Sequence, residues 1–324
     1  MHAETKIALV DLGGTQIRVA ISDAAGSFLT RLTRPTPSAG GEATLEALKE
    51  AIRAALDEGA HKVAAIAIVA PGPLDPRRGV VIYAPNVPDW HDVPLADILR
   101  QEFSVPVLLG NDANLAALGE QWFGAGRGHH DLVYLTVSTG IGGGVISEDK
   151  LLIGSHGYAA ELGHNSVWAD GPLCNCGNRG CVETLASGPA IARQAREAIQ
   201  AGRASVLSQM AGGDLSRVDA RMVAEAARQG DVVAQETYRR AGYFLGVAIV
   251  NFLYTFDPTI VVLGGGVTKA GPLLFEPVIE TVHARAPRAY WEHCDIVQAA
   301  LGEDVGLRGA LALYLSETGR EREG

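Results

Sequence analysis

The stretch from Glu161 to Glu183 constrains this chain more than any other; it reads Glu-Leu-Gly-His-Asn-Ser-Val-Trp-Ala-Asp-Gly-Pro-Leu-Cys-Asn-Cys-Gly-Asn-Arg-Gly-Cys-Val-Glu. It holds three of the four cysteines, Cys174, Cys176 and Cys181, and His164 stands ten positions before the first of them. Three thiolates and one imidazole are donors that select zinc, and the glycines at 171, 177 and 180 let the chain fold round one tetrahedral ion. With all four positions taken by protein atoms, such an ion is structural and not catalytic. The spacing departs from the common paired CxxC patterns, so a disulfide and plain buried thiols stay open as alternatives. The opening residues Met-His-Ala-Glu-Thr-Lys lack a secretory pattern, which disfavours a disulfide and leads to the expectation of a cytoplasmic protein.

Glycine-rich turns punctuate the rest. Two apolar runs, Lys6–Val10 and Ile17–Ile21, flank Asp11-Leu-Gly-Gly-Thr15 and read as strand, turn, strand. Gly13 and Gly14 let backbone N–H groups approach phosphate oxygens, Thr15 adds a hydroxyl, and Asp11 could orient water on a phosphate-bound Mg2+. An ordinary hairpin turn explains the same residues. The pattern recurs at Asp131–Ile146 around Thr139-Gly-Ile-Gly-Gly-Gly144, which makes Thr139, Gly140, Gly142 and Gly143 a second set of phosphate candidates. Two such turns in matched context suggest two related lobes holding a nucleotide. A third turn, Gly264-Gly265-Gly266, follows the apolar run Thr259–Leu263 and is either a ligand loop or a simple helix start.

Val63–Val69 and Val105–Leu109 are nearly all apolar, as strands buried on both faces are. The first runs into Ala-Pro-Gly-Pro (70–73), a strand's C-terminal end where α/β sheets commonly bind ligands. The second runs into Asn111-Asp112, ahead of Leu115, Leu118 and Trp122 at helical spacing. Either residue could cap that helix, and Asp112 could also act as a general base toward a hydroxyl. Ala43–Glu58 reads as an amphipathic helix, Ser187-Gly-Pro189 starts another, residues 201–220 look like a polar connection, and Asp231–Phe256 is a long helix with small residues for close packing. Strands alternating with helices give an α/β class. At 324 residues with 47% hydrophobic and 20% charged residues, the chain suits a soluble two-domain enzyme. A net charge of −10 disfavours nucleic-acid binding, and no apolar run is long enough to span a membrane.

Glu-Leu-Gly-His at 161–164, followed by Cys-Asn-Cys-Gly-Asn-Arg-Gly-Cys-Val-Glu at 174–183, resembles the signature of the ROK family of bacterial sugar kinases and repressors. The resemblance runs from Asp11 to the last helix. It implies a two-lobed actin-like (ribonuclease H-like) ATPase fold with a structural zinc loop. The implied lobes are 1–118, with helix 304–318 packing back on it, and 119–303, which carries the zinc loop 161–183. His164, Cys174, Cys176 and Cys181 are the implied zinc ligands. Asp112 becomes the general base, and Gly72, Asn86, Asn111, Glu161, His164 and Glu183 the sugar contacts. Asp11, Gly13, Gly14, Thr15, Thr139, Gly140, Gly142, Gly143, Gly265 and Gly266 become the ATP site, with Mg2+. Asn-Asp-Ala-Asn, Trp-Phe-Gly-Ala-Gly-Arg-Gly and Ser-Thr-Gly-Ile-Gly-Gly-Gly are similar to strings of the family's glucokinase subgroup. The expectation is therefore ATP-dependent phosphorylation of a hexose, glucose at its 6-hydroxyl first. Fructokinase, N-acetylhexosamine kinase and a non-catalytic sugar sensor or repressor are the alternatives. The first strand begins near Lys6, which leaves no room for a helix-turn-helix ahead of it. The partners expected are a sugar, ATP and further copies of the chain in a dimer or tetramer, with no nucleic acid and no membrane.

Overall fold

A computed structural model describes residues 5–84, 87 and 89–320. The chain divides into two compact units: Met1–Gly128 with Leu151–Ala160 and Ala300–Gly324, and His129–Lys150 with Glu161–Ala299.

In the first unit, β1 (Lys6–Leu12), β2 (Gln16–Asp23) and β3 (Phe28–Pro35) form an antiparallel meander. After α1 (Gly41–Glu58), β4 (Ala65–Ala70) joins β1 in parallel. A small antiparallel sheet of β5 (Leu74–Asp75), β6 (Val80–Tyr83) and β7 (His91–Val93) leads to α2 (Leu95–Phe103). Then β8 (Val107–Asn111) pairs in parallel with β4 and passes directly into α3 (Asp112–Phe123). The main sheet has the order β3-β2-β1-β4-β8. Ala8, Val10 and Leu12 of β1 join a core with Leu48 and Ile52 of α1. The alternate residues Ile7 and Leu9 are equally buried on the other face, because successive strand side chains point opposite ways.

In the second unit, β9 (Leu132–Val137) and β10 (Ile141–Ser147) form a hairpin, with the two-residue β11 (Lys150–Leu151) at its edge. The helices α4 (Glu183–Ala186), α5 (Gly188–Gln200), α6 (Leu207–Met210), α7 (Ala220–Arg228) and α8 (Val232–Phe256) follow. Next, β12 (Ile260–Gly264) lies parallel to β9. Then come α9 (Pro272–Arg285), α10 (Arg288–Trp291) and β13 (Asp295–Gln298), which closes the order β11-β10-β9-β12-β13. The chain ends in the first unit with α11 (Val305–Glu317). Each sheet thus holds a glycine-turned antiparallel hairpin beside two parallel strands.

Two readings of the sequence need correction. The Gly-rich turn of the second hairpin is shorter than expected: β10 begins at Ile141, so Gly142 and Gly143 lie in a strand, opposite Thr136 and Leu135. Residues 201–220 are not a plain polar connection, since Leu207, Ala211 and Val218 are buried around α6 and a 3-10 turn at Leu215–Arg217. Within the first unit, Gly119 of α3 lies against Gly309 of α11; a Cβ there would sit 2.9 Å from the Gly309 nitrogen. Among the described residues, no helix is long and apolar enough to cross a membrane.

Candidate active site

In the first unit, three strand ends meet the candidate residues. The turn after β1 is closed by Gly13 N–H donating to the Gln16 carbonyl at 2.9 Å, and Thr36 Oγ1 donates to the Gly13 carbonyl at 2.7 Å. Gly14 and Thr15 are exposed at its tip. Asp11, at the end of β1, lies 3.4 Å from Arg18 Nη1. The start of α11 comes so close that a Cβ on Gly306 would sit 2.5 Å from the Asp11 Cγ.

The structure decides which of Asn111 and Asp112 caps the helix. Asn111 is the helix cap: its Oδ1 accepts from Ala113 N–H at 3.0 Å and Asn114 N–H at 3.5 Å. Asp112 is the first helical residue, with Oδ1 accepting from Ala113 N–H at 2.8 Å. Its side chain still reaches solvent, but protein crowds it on most sides. Loss of hydration raises its pKa above the ordinary carboxylate value, against the lowering pull of the Ala113 and Asp112 N–H groups. The Asp11 carboxyl is raised too, first by burial, with the Arg18 charge opposing and the Asp112 charge adding. Gly72 belongs with Asn111, because a Cβ there would lie 2.7 Å from Asn111 Nδ2. Asn86 lies outside the described residues, while Trp90 is buried packing whose Nε1 donates to the Gly41 carbonyl at 3.0 Å.

In the second unit, the stretch from Glu161 to Glu183 closes on itself. His164 Nδ1 lies 3.6 Å from Cys174 Sγ, Cys176 Sγ lies 3.7 Å from Cys181 Sγ, and the four donor atoms are all within 4.8 Å of one another. At a Zn–S distance of about 2.3 Å, the edge of a tetrahedron is about 3.8 Å, so the cluster has the size of a zinc site. The thiols are free, so the disulfide alternative fails. The hairpin is held by bridges Ser166↔Cys181 and Leu173↔Arg179. Gly180, with φ +64, lies so close to the Trp168 carbonyl that any Cβ would overlap it.

Both ends of this loop meet at Ile141. Glu183 Oε2 accepts from Ile141 N–H at 2.9 Å, and a Cβ on Gly140 would sit 2.6 Å from the same oxygen. At the other end, the 3-10 turn Leu162–His164 places Gly163 against the Ile141 carbonyl with no room for a side chain. Gly163→Ala should therefore push the turn off β10, at a cost of about 1–3 kcal/mol, and lower both thermal stability and zinc content. Thermal unfolding and elemental analysis check this; unchanged values for both would contradict the packing described.

The second and third glycine turns share a cavity of about 670 Å3, lined by Thr139, Gly188, Arg196, Tyr238, Gly266 and Lys269 among others. Its volume suits a nucleoside. Gly265, with φ +87, is pressed against the Val137 carbonyl, so only glycine fits there.

One buried group carried no sequence signal: Glu120, on α3, is 0% exposed. In the sequence it is one more glutamate in a helix; only the segments folded around it mark it out. His129 is half-buried and His130 exposed, with ring nitrogens 2.9 Å from Thr259 Oγ1 and 2.6 Å from Asp149 Oδ2.

The model of the ROK family matches residues 7–317 of the chain. The glucokinase of Thermotoga maritima is 40% identical over 97% of this chain and 98% of its own. The ROK hexokinase of Thermus thermophilus superposes with a TM-score of 0.83 at 39% identity, covering 97% of this chain and 99% of that one. A ROK family glucokinase from Streptomyces griseus, in complex with glucose and AMPPNP, gives 0.79 at 38% identity, covering 95% and 98%. The chain therefore belongs to the ROK family.

Proposed function

We propose that this protein is an ATP-dependent hexose kinase that phosphorylates glucose at its 6-hydroxyl. One observation carries the chemistry: Asp112 stands at the junction of β8 and α3 beside the capping Asn111, with a carboxyl that loss of hydration raises above its ordinary value, the direction a general base needs. The similarity to glucokinases and to a glucokinase holding glucose and AMPPNP supports the substrates.

In this reading Asp112 removes the proton from the hydroxyl as it attacks the γ-phosphorus, and the bond to the β,γ-bridging oxygen breaks to release ADP. Asn111, Gly72, Asn86, Glu161, His164 and Glu183 hold the remaining hydroxyls. His164 gives Nδ1 to the metal cluster, which leaves Nε2 for the sugar. Gly13, Gly14, Thr15, Thr139, Gly140, Gly142 and Gly143 face the phosphates, and Gly265 and Gly266 the adenosine side. Asp11 would hold water on an Mg2+ ion, which would neutralise phosphate charge. His164, Cys174, Cys176 and Cys181 would hold a structural Zn2+ that fixes the segment presenting both glutamates.

The same reading gives a two-lobed actin-like fold, a cytoplasmic location and a dimer or tetramer, with no nucleic-acid or membrane partner. Exposed Trp168, Tyr243, Tyr254 and Tyr290 offer apolar surface for self-association. A coupled ADP-release assay with Mg-ATP tests the reading against glucose, fructose, mannose, N-acetylglucosamine and N-acetylmannosamine. Glucose should give the highest kcat/KM; preference for another sugar overturns the glucose assignment, and silence across the panel overturns the kinase.

A further inference from the structure

Glu120 lies on α3, two turns beyond Asp112, with its carboxylate fully enclosed. A buried carboxylate is costly unless its oxygens are bonded. Here Oε2 accepts from Ala125 N–H at 2.8 Å and Ala300 N–H at 3.1 Å, and Oε1 accepts from Leu301 N–H at 2.9 Å. The backbone carbonyl of Glu120 accepts from Gly124 N–H at 3.0 Å and Gly126 N–H at 2.9 Å. Gly124 packs on the carboxylate so closely that a Cβ would overlap it.

These donors are not an arbitrary set. The chain leaves the first unit after Gly128 and returns for the last time at Ala300. Ala125 stands just before that departure, and Ala300 and Leu301 are the first residues of the return. One carboxylate thus holds both passages of the chain. Beyond Leu301, the backbone gives the Glu303 carbonyl to Arg18 Nη1 at 2.8 Å and enters α11, whose Gly306 abuts Asp11. Glu120 therefore joins the helix that starts at Asp112 to the segment that packs against Asp11.

We infer that Glu120 is a positioning residue for phosphoryl transfer: its carboxylate fixes the return segment to α3 and so sets Asp11 and Asp112 in register. The inference rests on the proposed kinase function. It has an energetic basis, because a misplacement of about 1 Å can cost about 100-fold in rate.

Glu120→Gln keeps the size of the side chain but replaces one acceptor oxygen with an N–H2 group. At least one of the three backbone donors then loses its partner. The expected result, measured well below the unfolding temperature, is a kcat at least tenfold lower, with KM for sugar and ATP changed less than threefold. Amide exchange at Ala300 and Leu301 should accelerate at least tenfold. Leu118→Ala, which removes buried packing from the same helix, is the control for instability alone and should leave kcat within twofold. Should Glu120→Gln fail to fold, Gly124→Ala displaces the same carboxylate from the other side and should give the same loss of kcat. A kcat within twofold of wild type in the folded variant would overturn the inference, even if exchange rises. The wild-type control separates this from failure of the kinase reading: a wild-type protein inactive on every sugar removes the function itself.

Discussion

Asp112→Asn should be more stable than the wild type at pH 7 and nearly inactive. The carboxyl has a higher pKa in the folded protein than in the unfolded chain, where it sits near 3.8, because folding removes part of its hydration. The folded state then binds the proton more tightly than the unfolded state. Stability is lost as pH rises from the unfolded value through the folded one, and at pH 7 the ionised group carries the whole penalty. Asparagine removes that penalty and still offers an oxygen to the Ala113 N–H, so the melting temperature should rise at pH 7. The gain should vanish below about pH 3, where both forms of the wild-type group are protonated. Turnover should fall by about 10²–10⁴, the usual worth of a positioned base, with glucose binding retained. In the wild type, kcat/KM should rise with pH through an apparent pKa above the ordinary carboxylate value. Asp11 is raised partly by the Asp112 charge, so its carboxyl should titrate lower in the variant. Thermal melts at both pH values, a pH–rate profile and glucose titration read all of this. Wild-type turnover would remove Asp112 from the chemistry, and a lower melting temperature at pH 7 would contradict the hydration penalty.

Loss of the metal should damage sugar recognition far more than nucleotide recognition. The regular structure of the loop from Glu161 to Glu183 is limited to one short 3-10 turn and two isolated bridges, and its four soft donors converge within 4.8 Å. Metal binding in such small sites supplies about 10–16 kcal/mol of apparent free energy, which is then folding free energy of the loop. Both glutamates flank this loop, and its two ends are registered on Ile141. Cys181→Ser, or exhaustive chelation, should raise the KM for glucose at least tenfold and leave the KM for ATP within threefold. Elemental analysis should find about one zinc per wild-type chain. Metal-free protein with unchanged glucose affinity and unchanged melting would contradict the role assigned to the loop.

The sequence was most legible where composition and geometry are linked locally. Asp231 does cap the long helix α8, with Oδ1 accepting from Ala234 N–H at 2.9 Å, and Ser187 caps α5. The small residues of α8 serve close packing: a Cβ on Gly242 would lie 2.6 Å from Pro277 Cγ on α9. The convergence of His164, Cys174, Cys176 and Cys181 was legible because donor chemistry limits what four such residues can do. Long-range partners were not. Pro277 reads as a helix breaker, yet it lies inside α9 because its ring fills the groove that Gly242 leaves. The second glycine turn is shorter than its glycines suggest, because Gly142 and Gly143 look the same in a turn as in a strand. Glu120 was invisible because its three donors come from residues 125, 300 and 301. The separation of Asn111 as cap from Asp112 as first helical residue needed the backbone angles at the β8–α3 junction.

The most direct test is to identify the product. Purified wild-type protein, glucose labelled at C6 with carbon-13, and Mg-ATP should be followed together by phosphorus and carbon NMR. The account predicts one new phosphomonoester, coupled to the labelled carbon and formed one for one with ADP, and none with Asp112→Asn over the same period. Phosphate appearing at another position, ADP formed with inorganic phosphate instead of a sugar ester, or equal product from the variant would contradict it.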